Sequence, residues 1–327
     1  MHDDARSFEM KKYFALLALL MLSFVMLSGC ASQKSADLPT RQSKIPASAV
    51  KQSPATDAYL PQLHSSEWQE PVLLSGPVNT AGAEDSAFVL PDGSALYFFF
   101  TPDANIPPEK QLLDNVTGIY VSKKQGSAWA EPMRVVLQDN GKLALDGCEF
   151  VQGNAMWFCS AREGYAGVNL FTAEYKSGKW QNWKYVGDKL MKDYKVGEMH
   201  IGADGNELYF HSPRQGGKGQ FDIWVSEKAN GEWQEPVNVG AVNSAENDGW
   251  PFVSQDGSEL WLTRTYMGSP GIFRSKKVNG AWQEPELIVS QFAGEPTLDN
   301  AGNLYFTHHY VQDGKIIEAD IYFARKK

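Results

Sequence analysis

The four residues Trp-Gln-Glu-Pro occur three times in this chain, at Trp68, Trp233 and Trp282. Trp129-Ala-Glu-Pro is a near copy, and Trp180-Gln-Asn-Trp a degenerate one. Successive tryptophans stand 61, 51, 53 and 49 residues apart, and 45 residues follow Trp282. A motif recurring at this interval marks one supersecondary unit used repeatedly, each copy burying its apolar face against the next.

Every interval carries the same apolar phrases. A first segment is anchored by Phe88, Phe150, Ile201, Phe252 or Leu298. A second reads Leu96-Tyr97-Phe98, Met156-Trp157-Phe158, Leu208-Tyr209-Phe210, Leu260-Trp261-Leu262 or Leu304-Tyr305-Phe306. A third holds Ile119-Tyr120, Leu170-Phe171, Ile223-Trp224, Ile272-Phe273 or Ile321-Tyr322. Short aromatic and β-branched runs separated by turns such as Pro91-Asp92-Gly93 predict strands. The Trp-x-x-Pro segment supplies a fourth, and its proline, which cannot donate to a ladder, belongs on an edge. The chain ends just after the third segment of its last unit, while Trp68 precedes the first unit. One half completes the other. The expectation is an all-β, five-bladed β-propeller of four-stranded blades over residues 66–327, its last blade closed by the N-terminal strand.

The phrase running from Asp248 to Leu262, followed by a segment like Asp222-Ile223-Trp224, resembles the repeat of the TolB-type, WD-like propeller family. The resemblance covers residues 66–327 and implies a binding or scaffold module of the bacterial envelope. Five units differ from the six of TolB itself, so TolB's partner, the peptidoglycan-associated lipoprotein, is not carried over.

Ahead of the repeats lies an export segment. Lys11 and Lys12 precede an apolar run from Tyr13 to Leu27. That run is too short for a bilayer-crossing helix of about 20 residues, and reads as a signal peptide over residues 1–29. It ends in Leu27-Ser28-Gly29-Cys30, which resembles the lipobox of bacterial lipoproteins. The resemblance implies acylation of Cys30, palmitate included, and with Ala31 following, an outer-membrane anchor facing the periplasm or the cell surface. Residues 30–65 mix Ser, Ala, Gln, Pro and Lys without periodicity and read as a flexible tether. The net charge of -9 argues against nucleic acid, whose phosphates need a positive field.

Counting three or four residues back from each first-segment anchor finds an acid in every unit: Glu84 and Asp85, Asp146, Glu198, Asp248 and Glu295, with Glu149 added in the second. First strands line a propeller's channel, so these acids are expected to ring one mouth, opposite Arg162, Arg214, Arg264 and His308-His309 at the ends of the second strands. Such a ring either ties blades together through ion pairs or binds a ligand: a protein partner, a carbohydrate or calcium. No other cofactor is implied. A second function stays open. Five-bladed arabinanase-type glycoside hydrolases carry three channel carboxylates, and Asp85, Glu149 and Glu198 match such a set. Cys148 and Cys159 flank one hairpin and are expected to form a disulfide in an exported chain.

Cys30→Ala is expected to leave an unprocessed or soluble species. Retention of that variant in the membrane fraction after alkaline washing, with unchanged mobility, would show that Cys30 is not the anchor.

Overall fold

The computed structural model describes residues 39–327. The export segment and Cys30 lie outside the described residues. From Ala83 onward the chain is an all-β, propeller-like succession of antiparallel strands. In the first unit Ala83–Val89 pairs with Ala95–Thr101, that with Gly118–Gln125, and that with Met133–Arg134. The order repeats through Ala144–Gln152, Ala155–Arg162, Val168–Lys176 and Lys179–Tyr185, which form a separate four-stranded sheet. The third unit runs Met199–Ile201, Glu207–Ser212, Asp222–Ala229 and Val237–Asn238. The fourth runs Asp248–Val253, Glu259–Tyr266, Ser269–Val278 and Glu286–Ser290.

The last unit has three strands of its own: Ala293–Leu298, Leu304–Gln312 and Lys315–Ala324. Its fourth comes from the other end of the chain, where Val72–Leu73 pairs antiparallel with Lys315–Ala324. A single parallel pair, Ala319 with Ala83, joins the last unit to the first.

The repeated tryptophans explain how units adhere. Trp129, Trp233 and Trp282 each lie across from a lysine of the strand before them, with Lys124, Lys228 and Lys277 at 5.2, 5.1 and 4.9 Å from the ring centroids. Trp68 takes the same partner from the C-terminal strand: it bridges to Lys326, whose Nζ lies 3.7 Å from its ring. Four of these tryptophans also pack on the second strand of the neighbouring unit. Trp180 meets Tyr97, Trp282 meets Tyr209 and Trp68 meets Trp261, at 6.4, 6.1 and 5.4 Å between centroids. Trp129 of the first unit meets Tyr305 of the last, at 6.3 Å. Edge-to-face packing of this kind adds about 0.5–1.5 kcal/mol per pair beyond the buried area.

The segment expected to be a tether is in part packed against the sheets. Arg41, in a single helical turn Arg41–Lys44, donates to Glu84 Oε1 at 3.0 Å and to the Val78 carbonyl at 2.7 Å. Lys51 pairs with Glu318 and Asp320. Tyr59 stacks on Phe292 at 5.1 Å, and Gln62–Leu63 pairs with Glu286–Ser290. The composition hides this because separate side chains, Arg41, Lys51 and Tyr59, hold the segment, and these leave no periodic pattern.

Trp68 is fully buried, and its Nε1 donates to the Gly302 carbonyl at 2.9 Å. Trp68→Ala is expected to cost about 3–5 kcal/mol in denaturant unfolding. A cost below about 1 kcal/mol would mean that the N-terminal strand is only loosely attached.

Candidate functional site

The first strand of a unit does not run straight. Its ladder skips two residues between Asp85 and Phe88, Gly147 and Phe150, Gly249 and Phe252, and Gly294 and Thr297. The first skipped residue is left-handed in each case: Ser86 (φ 52°), Cys148 (53°), Trp250 (51°) and Glu295 (56°). Non-glycine residues in that region cost of order 1–3 kcal/mol and gather at functional sites. The skipped pair needs no ladder hydrogen bond, so Pro251 and Pro296 are tolerated there. In the third unit Glu198 takes the same place, two residues before His200.

This register corrects the anchors expected from the sequence. Phe88, Phe150, His200, Phe252 and Thr297 are equivalent, each opposite Tyr97, Trp157, Tyr209, Trp261 or Tyr305. Ile201 and Leu298 stand one residue later, and a one-residue slip in a strand changes the face a side chain occupies. The expected ring of five equivalent acids therefore divides in two.

Glu84, Asp146 and Asp248 share one position, buried at the strand start and paired with arginine. Asp146 meets Arg162 at 2.8 Å, Asp248 meets Arg264 at 2.5 Å and Glu84 meets Arg41 at 3.0 Å. These are structural ties, not ligands for a channel. The third unit has Val196 at this position, and Arg214 turns instead to Glu235, its guanidinium 4.8 Å from the Trp224 ring.

Glu149, Glu198 and Glu295 occupy the skipped positions and line one cavity of about 50 Å³ with Trp250, Phe88 and Phe150. Asp85 stands beside them. His309 Nε2 lies 3.5 Å from Asp85 Oδ1, and Glu295 Oε2 accepts from the Ser86 amide at 2.6 Å. Both Glu149 oxygens and Trp250 Nε1 are buried without a hydrogen-bond partner among the described residues. Phe88, Phe150, His200 and Phe252 form the floor, with Phe150–His200 and His200–Phe252 centroids 4.6 and 4.7 Å apart. These four residues also border a second cavity of about 380 Å³ beyond them.

The electrostatics separate the carboxyls. Burial, then the Asp85 charge, pushes Glu198 up to about 7. Burial pushes Glu149 well above the usual carboxylate range, with the charges of Glu198 and Asp85 adding to it. Glu295 rises for the same reasons: burial first, then Asp85 and Glu198. Burial works against Asp85 too, but the His309 imidazolium and hydrogen bonds from its neighbours hold its carboxyl well below that range. His309 is raised in turn, the Asp85 charge outweighing burial. Burial alone brings His200 down to about 3.

Of the residues expected at the mouth, the structure thus brings together Asp85, Glu149, Glu198 and Glu295, pairs Asp146 and Asp248 with Arg162 and Arg264, and leaves Arg214 on Glu235. It makes His309, one of the bases expected there, the partner of Asp85, and adds Trp250 as a wall. Cys148 and Cys159 are free thiols, not the expected disulfide. The ladder partner of Cys159 is Gly147, and Cys148 takes the left-handed step beside it. The thiols interact, and the Cys159 hydrogen bond, then burial, raises the Cys148 pKa well above its usual value. Among the described residues no group of three His, Cys, Asp or Glu is arranged to hold a metal ion.

No protein-family model and no curated protein matches the chain. Among solved structures it is similar to an endo-arabinase from Bacteroides thetaiotaomicron, with a TM-score of 0.48 and 17% identity over 76% of this chain and 96% of that one. It is similar to TolB from Acinetobacter baumannii, with a TM-score of 0.44 and 13% identity over 76% of this chain and 55% of that one. An exo-beta-1,3-galactanase from Clostridium thermocellum gives 0.45 and 12% over 77% of this chain and 61% of that one. These neighbours include both TolB and glycoside hydrolases, and at such identities they leave the function undecided.

The acidities set a pH dependence. Glu198 ordinarily titrates near 4.5 and in the fold near 7, so the folded chain keeps a proton that the unfolded chain releases. Its contribution to stability is complete below about 4.5 and lost as pH rises through about 7. Glu149, Glu295 and His309 act in the same direction. Asp85, shifted down, contributes above the ordinary aspartate range and loses that only in acid, so it does not oppose the slope. His200 and His211, brought down to about 3 and 4, add stability as pH rises toward 6.5 and oppose these groups below it, so unfolding free energy is expected to fall between about pH 6.5 and 8, and Glu198→Gln to make that fall shallower. Parallel pH profiles for wild type and variant would mean that Glu198 ionises freely.

Proposed function

We propose that this chain is an envelope-anchored, five-bladed β-propeller that binds a small ligand at the acidic mouth of its channel. Ring closure is supported by two joints between the chain's ends: Val72–Leu73 beside Lys315–Ala324, and Trp129 against Tyr305. Anchoring rests on the sequence around Cys30, and the orientation toward periplasm or cell surface follows from it.

The binding reading is carried by Glu149. It is 5% exposed, lines the mouth cavity and has neither oxygen hydrogen-bonded among the described residues. A buried polar group left unsatisfied costs about 1–3 kcal/mol. A carboxyl serving structure alone would be tied down as Asp146 and Asp248 are.

A hydrolase of the arabinanase type is the second reading. One observation favours it: Asp85 is held ionised while Glu198 is held protonated near neutrality, the acid–base division a glycosidase uses. Two observations weigh against it. The cavity has only about 50 Å³ of clear space, small beside the space of about 380 Å³ beyond its floor. Glu295 also crowds Asp85 at hydrogen-bonding range, in the space that an attacking water or sugar would need.

Glu149→Met keeps an unbranched side chain and removes the orphaned oxygens. It is expected to raise unfolding free energy by about 1 kcal/mol or more at pH 7, and the wild type to release no sugar from arabino- or xylo-oligosaccharides. Destabilisation by Glu149→Met would make the carboxyl part of the framework and overturn the binding reading. Sugar release that Glu198→Gln abolishes would establish the hydrolase instead.

A further inference from the structure

The geometry points to a primary alkylammonium group as the ligand of the mouth cavity, donating to the orphaned Glu149 carboxyl over the aromatic floor, with Glu198 and Glu295 lining the same cavity. This inference rests on the mouth being the binding site and names what it binds.

Four features of the cavity select that chemistry. The first is the supply of acceptors. None of Glu149, Glu198 and Glu295 forms an ion pair among the described residues, and the cation nearest the cluster, His309, is engaged by Asp85. An ammonium head offers three donors and no acceptor, which suits three carboxyls that have no cation. The second is the orphaned Glu149, whose two oxygens are buried at the cavity wall with nothing to accept from.

The third feature is the floor. Phe88, Phe150 and Phe252 surround His200, which burial keeps neutral, so the floor repels no cation. Aromatic surface beneath a cation attracts it through the ring quadrupole, by about 2 kcal/mol when water is excluded. Trp250, on a left-handed bulge, forms a wall beside it. The fourth is size: the clear space of about 50 Å³ is small beside the space of about 380 Å³ beyond the floor, which suits a compact head group.

Proton linkage follows. An entering cation favours the ionised carboxylates, so binding expels protons from groups that are protonated in the free protein. The groups facing the cavity or its walls are Asp85, Glu149, Glu198, Glu295, His309, Cys148, His200 and His211. Burial brings His211 down to about 4, and its Nε2 accepts from the Glu198 amide at 3.4 Å. His200 and His211 are neutral and Cys148 is a thiol across the neutral range, which leaves Glu198, titrating near 7, as the main source of the proton.

The test is calorimetric titration of the wild-type chain with n-butylammonium chloride at fixed ionic strength, at pH 6 and pH 8, in buffers of different ionisation enthalpy. Affinity is expected to rise about tenfold over that interval, with proton release at pH 6. Glu149→Gln and Glu198→Gln should each weaken it by about tenfold or more. Nα-acetyl-lysine amide distinguishes the source: tighter binding than n-butylammonium points to a lysine of a partner protein, equal binding to a free amine. Binding of 1-butanol as tight as that of n-butylammonium, or binding indifferent to both variants, would overturn the inference. If Glu149→Met stabilises the fold while calcium or arabinose binds and n-butylammonium does not, the ligand class is wrong and the binding reading survives. If Glu149→Met destabilises, that reading fails with it.

Discussion

The tryptophan that opens each Trp-x-x-Pro segment holds the repeats to one another. One side of Trp129, Trp233 and Trp282 lies against a lysine of the same unit, and Trp282 also reaches Tyr209 of the unit before. A repeat built this way cannot bury its own outer strand without a neighbour, so stability is shared along the series. At the last unit, Trp68 meets Lys326 and Trp261. Glu67 strengthens that joint: hydrogen bonding to Arg274, set against partial burial, takes its carboxyl down to about 2. The joint is made by residues from opposite ends of the chain, so the ends must meet before the last unit is complete. Contacts of such sequence separation form late and slow folding.

With the outer strands fixed, the inner strands can carry strain. Ser86, Cys148, Trp250 and Glu295 all take the left-handed step at the same depth in their units. A regular strand sends alternate side chains to opposite faces. The two-residue bulge breaks that alternation and re-aims side chains, and this is how glutamates from the second, third and fifth units come to share one cavity. Where the strand resumes, Phe88, Phe150, His200 and Phe252 lie between the mouth cavity and the larger one beyond it. The bulges make the mouth, and the aromatic residues that follow give it a floor.

Much of the fold was legible because it is written as repetition: the tryptophan spacing, the five second-strand phrases and the matching half-units each have a counterpart in the strand pairing. The site was legible only in part. Counting back from an apolar anchor gave the right answer in three units, where the anchor is phenylalanine. It failed in the other two because Thr297 and His200 stand where phenylalanine was expected, and Leu298 and Ile201 were taken in their place. That slip put Glu198 and Glu295 in line with Asp146 and Asp248, which do a different job. Arg41 was missed for another reason. It lies 43 positions before Glu84 in a stretch with no periodicity, and only the folded chain shows that the two are joined.

The way the mouth tolerates its acids also limits what it can do. Four carboxyls this close would repel strongly if all were ionised in a site partly shielded from water. The fold avoids that cost by leaving one charge, on Asp85, and balancing it with His309, while burial keeps the other three protonated or near their midpoint. The resting site is therefore close to neutral, and its capacity for charge is stored as protons. A divalent cation would have to expel several of those protons and find oxygen ligands in a tight shell, for which no suitable group exists among the described residues. A glycosidase would need one of the acids to face open space and a sugar. A singly charged ammonium requires less of both: it can displace a single proton, from the carboxyl titrating nearest neutrality, and donate to the Glu149 oxygens, which line the cavity without a partner among the described residues.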